Sequence, residues 1–149
     1  MSGTQHTIDV LEKLITVCRD GEMGYLHAAA HVEDPSLQTF FREQSLERAR
    51  FARELSELMG SIGEKPSDTS GSLAGALHRA WFAIKGDLGG GEHTILESVE
   101  QGEDAAKKAY EEALNSPLPE EVAALIRTQY ASVKAAHDST RRQRDQKAA

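Results

Sequence analysis

The sequence predicts an all-α domain, an antiparallel four-helix bundle with one long connection in its middle, and three observations predict it. Apolar residues recur at three- and four-residue steps over four long stretches, turn-forming residues separate those stretches, and nowhere do β-branched residues alternate with polar ones as in a strand. Thr7 is the expected cap of a first helix over residues 8 to 32, with Leu11, Leu14, Ile15, Cys18, Tyr25, Leu26 and Ala29 on one face. Asp34 then reads as an N-cap and Pro35 as a first helical residue, where a missing N–H costs nothing. The second helix presents Leu37, Phe40, Phe41, Phe51, Leu55, Leu58 and Met59 and ends between Gly60 and Gly63. So short a link makes the first two helices antiparallel neighbours.

Residues 64 to 71, EKPSDTSG, read as a loop, and residues 72 to 85, SLAGALHRAWFAIK, as a short extra helix with Trp81 covering the bundle end before residues 86 to 91 break the chain again. Helix three is expected over residues 92 to 115, with Ile95, Leu96, Val99, Ala106, Tyr110 and Leu114 inward. Pro117 and Pro119 bracket the next turn. Helix four runs from Pro119 to about residue 144, with Val122, Leu125, Ile126, Val133 and Ala136 inward, before RRQRDQKAA frays. The order is hairpin, long crossover, hairpin, the wiring of ferritin-like bundles, whereas up-down-up-down bundles use three short loops.

The whole chain, 1 to 149, therefore reads as a single domain with its core at about 7 to 144. A composition of 39% apolar and 28% charged residues is that of a water-soluble globular protein, and no apolar run approaches the roughly 20 residues of a membrane span. The opening MSGTQHTIDV lacks the basic and apolar parts of an export signal, which points to the cytoplasm. A formal charge of -7 repels nucleic acid and anionic membrane, so neither is an expected partner. Arg141, Arg142, Arg144 and Lys147 complement the negative end of the last helix. Cys18, the single cysteine, falls on an inner stripe and reads as a buried structural thiol.

Each apolar stripe is interrupted by polar residues: Glu22 on helix one, Gln44 and Glu47 on helix two, Glu103 on helix three and Gln129 on helix four. Residues equally far from a hairpin turn share a height, so Glu22 is expected beside residue 46, and therefore near Glu47, and Glu103 beside Ser132. Carboxylates facing one another in a bundle interior require a cation, a proton or an arginine among them. In di-metal carboxylate bundles two helices each give a Glu and the other two each give Glu-x-x-His. Tyr25 and Tyr110 lie on the same stripes and are expected to donate hydrogen bonds to such carboxylates. Gly21 and Gly102 each cost a helix about 1 kcal/mol against Ala, which close helix approach would explain.

The phrases Gly21-Glu22-Met23-Gly24-Tyr25, Gly71-Ser72-Leu73, His78-Arg79-Ala80-Trp81, Gln101-Gly102-Glu103-Asp104 and His137-Asp138 together resemble an uncharacterised bacterial four-helix-bundle family of the ferritin-like superfamily. The resemblance spans roughly residues 7 to 144. It implies a ferritin-like fold and a setting in stress adaptation, and the family brings no established activity. An internal echo fits a two-hairpin origin: Gly21-Glu22 recurs as Gly102-Glu103, and Gln44 aligns with Gln129. Carried over residue by residue, Glu22 and Glu103 match lone carboxylates and Glu47 the first residue of a Glu-x-x-His whose partner position holds Arg50. The second half offers Ser132 and Ala135 instead.

An arginine three residues after the surviving glutamate can pair with carboxylates directly. The reading is therefore a non-enzymatic protein with no catalytic residue and no cofactor. In it Glu22, Tyr25, Gln44, Glu47, Arg50, Glu103, Tyr110 and Gln129 form a buried network, and the protein acts as a homodimer or through a protein partner. The alternative is a di-iron-type oxidoreductase or iron-handling protein in which Glu22, Glu47, Glu103 and His137 hold iron or another divalent metal. His27 and His31, four apart, read as a solvated pair, and His137 as a hydrogen-bonded histidine.

Overall fold

Asp34 and Pro35 set the sharpest boundary in the chain. The computed structural model describes residues 2–63 and 91–148, and in it the Asp34 side chain accepts from the Ser36 amide at 2.8 Å while Pro35 opens the second helix. The helices are α1, Ser2–Ala30; α2, Pro35–Ser61; α3, Gly91–Leu114; and α4, Glu120–Ala148. No strand occurs among the described residues. The short extra helix expected over 72 to 85, with Trp81, lies outside them.

Two helix ends depart from expectation. Thr7 does not cap α1, which is already helical from Ser2, and Thr7 is instead buried. No proline fixes a start there, and an i,i+4 bond from Gln5 Nε2 to Asp9 Oδ1 at 2.9 Å supports the extra turn. At the other extreme α4 does not fray near residue 144 but continues to Ala148. Its basic residues find acidic partners on other elements: Arg144 pairs with Glu100, and Lys147 Nζ lies 3.0 Å from Asp34 Oδ2 and 2.9 Å from Glu92 Oε1. The C-terminus of α2 follows a common rule, with Gly63 at φ 94 and its amide donating to the Gly60 carbonyl at 3.0 Å.

Glu92, at the start of α3, accepts from the Glu33 and Asp34 amides at 2.9 and 2.8 Å. The α1–α2 turn, the N-terminus of α3 and the C-terminus of α4 thus meet at one end of the bundle. Helix α2 finishes at the end opposite to the start of α3, and the connection between them lies outside the described residues. Helix α1 packs on α2 and α3, and α3 on α4, whereas α2 and α4 approach one another sparsely.

The apolar interior comes in two parts. One contains Leu11, Leu14, Ile15, Cys18, Phe51, Leu55, Met59, Tyr110, Ile126 and Val133; the other contains Tyr25, Val32, Leu37, Phe41, Ile95, Leu96 and Val99. Each fully buried Leu or Phe contributes about 1.5–3 kcal/mol, so either part alone is a substantial core. Between them lies a layer of polar side chains. Among the described residues no helix is long and apolar enough to cross a membrane.

Candidate functional site: a buried polar layer at the bundle centre

Helix α2 buries Phe41, Ser45, Arg48, Ala52, Leu55 and Met59, a run of four- and three-residue steps with an arginine in its middle. The Arg48 side chain is wholly buried, and its Nη2 donates to Glu103 Oε2 of α3 at 2.7 Å. Its guanidinium also sits 5.6 Å from the centre of the Tyr25 ring, a cation–π distance. Burial would depress the Arg48 pKa, but the charge of Glu103 and the hydrogen bond to it overcome that and raise the value, so the group stays charged. Nε and Nη1 have no hydrogen-bond partner among the described residues, a cost that the single ion pair leaves in place.

Room for this side chain comes from α1. A Cβ at Gly21 would stand 3.1 Å from Arg48 Nη1 and 3.4 Å from its Cγ, so the glycine is where the helix yields to the guanidinium. Ser45 Oγ donates to the Glu22 carbonyl at 3.0 Å, which fixes the relative height of α1 and α2 at this level. Tyr25 is fully buried. Burial first and then the Glu103 charge hold its phenol well above the usual range, with Glu103 and Thr140 as its polar neighbours.

A second chain of polar groups runs one layer away. Cys18 Sγ and Tyr110 Oη are 3.1 Å apart, and Tyr110 Oη donates to Gln129 Oε1 at 2.7 Å, which leaves the thiol as donor to the phenol. Gln129 Nε2 reaches across to α2, to the Phe51 carbonyl at 3.3 Å and Glu54 Oε1 at 3.1 Å. Burial, partly offset by the hydrogen bond to Tyr110, pushes the Cys18 thiol up to about 11, so it is a proton-bearing structural group.

The residues singled out in the sequence therefore divide. Glu103, Tyr25, Tyr110 and Gln129 are buried in these layers, although Tyr110 bonds Gln129 and Cys18 and not a carboxylate. Arg50 is not the buried guanidinium: it is 51% exposed, 3.2 Å from Glu54 and 3.9 Å from Glu47 on the same helix. Glu22, Gln44 and Glu47 are only half-buried, at the margin of the layer. The stripe of α1 passes through Gly21, between Cys18 and Tyr25, and that of α2 through Arg48, so Glu22 and Glu47 are rotated towards solvent. The sequence signal that could have found Arg48 is the glycine facing it at equal height.

Ser132 is likewise not the neighbour of the Glu103 level. Helical side chains lean towards their own N-terminus, away from the turn on α3 and towards it on α4, so partners lie further along α4 than equal counting gives. Tyr110 meets Gln129, and Asp104 meets His137, whose Nε2 is 2.5 Å from Asp104 Oδ1. His137 is buried and also bonds Asp138 through Nδ1 at 3.2 Å. His31 Nδ1 is 2.7 Å from the His27 carbonyl, which orients that ring on its own helix.

The di-metal arrangement of carboxylate bundles does not fit this centre. Glu103 is held by Arg48, Glu22 and Glu47 face the margin, and the expected imidazole positions are Arg50 and Ala135. The fold nonetheless has well-matched counterparts. A Dps1 mutant from Mycobacterium smegmatis superimposes with a TM-score of 0.77 over 95% of this chain and 97% of that one, at 14% identity, which shows a shared ferritin-like fold. Among curated proteins none matches. The model of the family described as a domain of unknown function, DUF2383, matches residues 6–116, and the chain therefore belongs to that family, as a ferritin-like four-helix bundle.

Proposed function

We propose that this chain is a non-catalytic ferritin-like protein whose centre is held by an ion pair at the level where di-metal carboxylate bundles place their ions. The observation that carries the reading is the fully buried Arg48 guanidinium on Glu103: with one oxygen taken by protein at 2.7 Å, this carboxylate cannot use both oxygens to bridge two metals. The donor set around it supports the same conclusion, since α2 carries no histidine and the one on α4, His137, is engaged by Asp104 and Asp138. Such a protein acts through what it associates with. Leu46 of α2 is 73% exposed, and Met23 and Leu26 of α1, near the same height, are about half exposed, which favours a second copy as the partner on the α1–α2 hairpin. The cytoplasm suits a protein with one reduced, buried thiol. A place in stress adaptation rests on the family resemblance.

The deciding experiment is iron analysis of purified, untagged protein with an absorbance scan, on the wild type and on Glu103→Gln. The expected result is no iron that depends on Glu103. About two iron atoms per chain with an oxo-bridged band, lost in Glu103→Gln, would overturn the reading. For the partner, sedimentation of the wild type should show a concentration-dependent dimer that Leu46→Glu abolishes. A wild type that stays monomeric at every concentration rules out self-association.

A further inference from the structure

Two of the short phrases singled out in the sequence, Gln101-Gly102-Glu103-Asp104 and His137-Asp138, meet across α3 and α4. We propose that Glu100, Asp104 and His137 form a binding site for one first-row divalent cation of the zinc class, separate from the bundle centre. One donor atom from each residue lies within 4.8 Å of the other two. Glu100 and Asp104 are four apart on α3, so both carboxylates leave the helix on one face towards the His137 ring of α4.

The histidine is set up as a ligand. Its Nδ1 faces Asp138 Oδ1 at 3.2 Å, the carboxylate on the far ring nitrogen that fixes a metal-binding imidazole in orientation and tautomer. That leaves Nε2, the nitrogen aimed at Asp104, as the one that would take the cation. The His137 and Glu100 side chains are at least nine-tenths buried, which holds their positions, while Asp104 is 60% exposed and supplies both adjustment and an entry path. Metal–ligand bonds of about 2.1 Å at tetrahedral angles place donors about 3.4 Å apart, so the exposed Asp104, now 2.5 Å from Nε2, would swing outward to admit the cation. Arg144 lies on Glu100 Oε1 and Arg141 Nε 4.0 Å from Oε2, so the cation shares Glu100 with a guanidinium. One imidazole with two carboxylates suits zinc, cobalt, iron(II) or manganese and gives a three-ligand site open to water.

The test is titration of the full chain with zinc by calorimetry, and with cobalt by visible absorption, in the wild type and in His137→Gln, Asp104→Asn, Asp138→Asn and Glu22→Gln. The wild type should bind one zinc per chain. His137→Gln and Asp104→Asn should lose that saturable binding, and Asp138→Asn should weaken it about 10- to 100-fold, the range for a carboxylate behind a ligating histidine. Glu22→Gln should bind as the wild type does. Asp104 is exposed, so its variant folds, and circular dichroism checks the buried His137. The proposal fails if the wild type takes up no stoichiometric zinc, if Asp104→Asn and His137→Gln bind as tightly as the wild type, or if Glu22→Gln is the variant that loses the metal.

Discussion

A guanidinium withdrawn from water into a helical bundle is tolerated only with its counter-charge in place, and Arg48 has one carboxylate, one aromatic face and two nitrogens without partners among the described residues. Arg48→Met strands the Glu103 charge and should cost about 3–5 kcal/mol in urea unfolding. Removing both charges in Arg48→Met/Glu103→Leu should restore wild-type stability or exceed it, because the uncompensated Nε and Nη1 go too. Gly21 offers an independent check on the same contact. In an open helix Gly→Ala gains about 1 kcal/mol. Here the new methyl would press on Nη1 at 3.1 Å while Nη2 is tied to Glu103, so Gly21→Ala should gain nothing in the wild type and regain that amount in the Arg48→Met background.

At the scale of elements, the helix ends are joined by Lys147, which bridges Asp34 at the α1–α2 turn and Glu92 at the start of α3. Hydrogen bonds from Lys147 and from the Ser36 amide hold Asp34 below its ordinary pKa, and those from the Asp34 amide and Lys147 do the same for Glu92. Depressed carboxylate values mean that this stabilisation is complete above the ordinary values of about 4 and is lost as pH falls through the lowered ones. Hydrogen-exchange protection factors in the last turn of α4 should therefore be high at neutral pH and fall below about pH 4, and Lys147→Met should remove that pH dependence. The Asp34-Pro35 boundary and the four helices were legible because cap chemistry and apolar spacing act locally. The start of α1 and the pinned end of α4 were not, since one has no cap to mark it and the other depends on Asp34, Glu92 and Glu100, distant in sequence. Within the polar layer, Glu103 and Gln129 were legible as gaps in a stripe. Arg48 was hidden because Gln44-Glu47-Phe51 and Ser45-Arg48-Ala52 are equally good helical steps, and only packing against Gly21 chooses between them.

For the molecule as a whole, the hairpins α1–α2 and α3–α4 join mainly through α1 and α3, and Gln129 is a specific tie across the sparse α2–α4 side. Gln129→Leu should cost about 1–3 kcal/mol by stranding the Tyr110 phenol and the α2 acceptors, with faster hydrogen exchange near Phe51 as its local sign. The same view explains why the interior tolerates so much polarity: α1, α2 and α3 contribute to both apolar parts, and the layer between them carries the charge.

That layer also makes the bundle hard to misassemble. If α2 slid by one turn, about 5.4 Å, Arg48 would be driven towards Leu96 and Val99 or towards Leu14 and Ile126, apolar residues of the other helices, with Glu103 left behind. The arginine thus works as a detent, permitting a single alignment out of several that grease alone would accept. Its apolar replacement pair should keep the helices yet broaden the methyl resonances, as molecules settle at more than one stop.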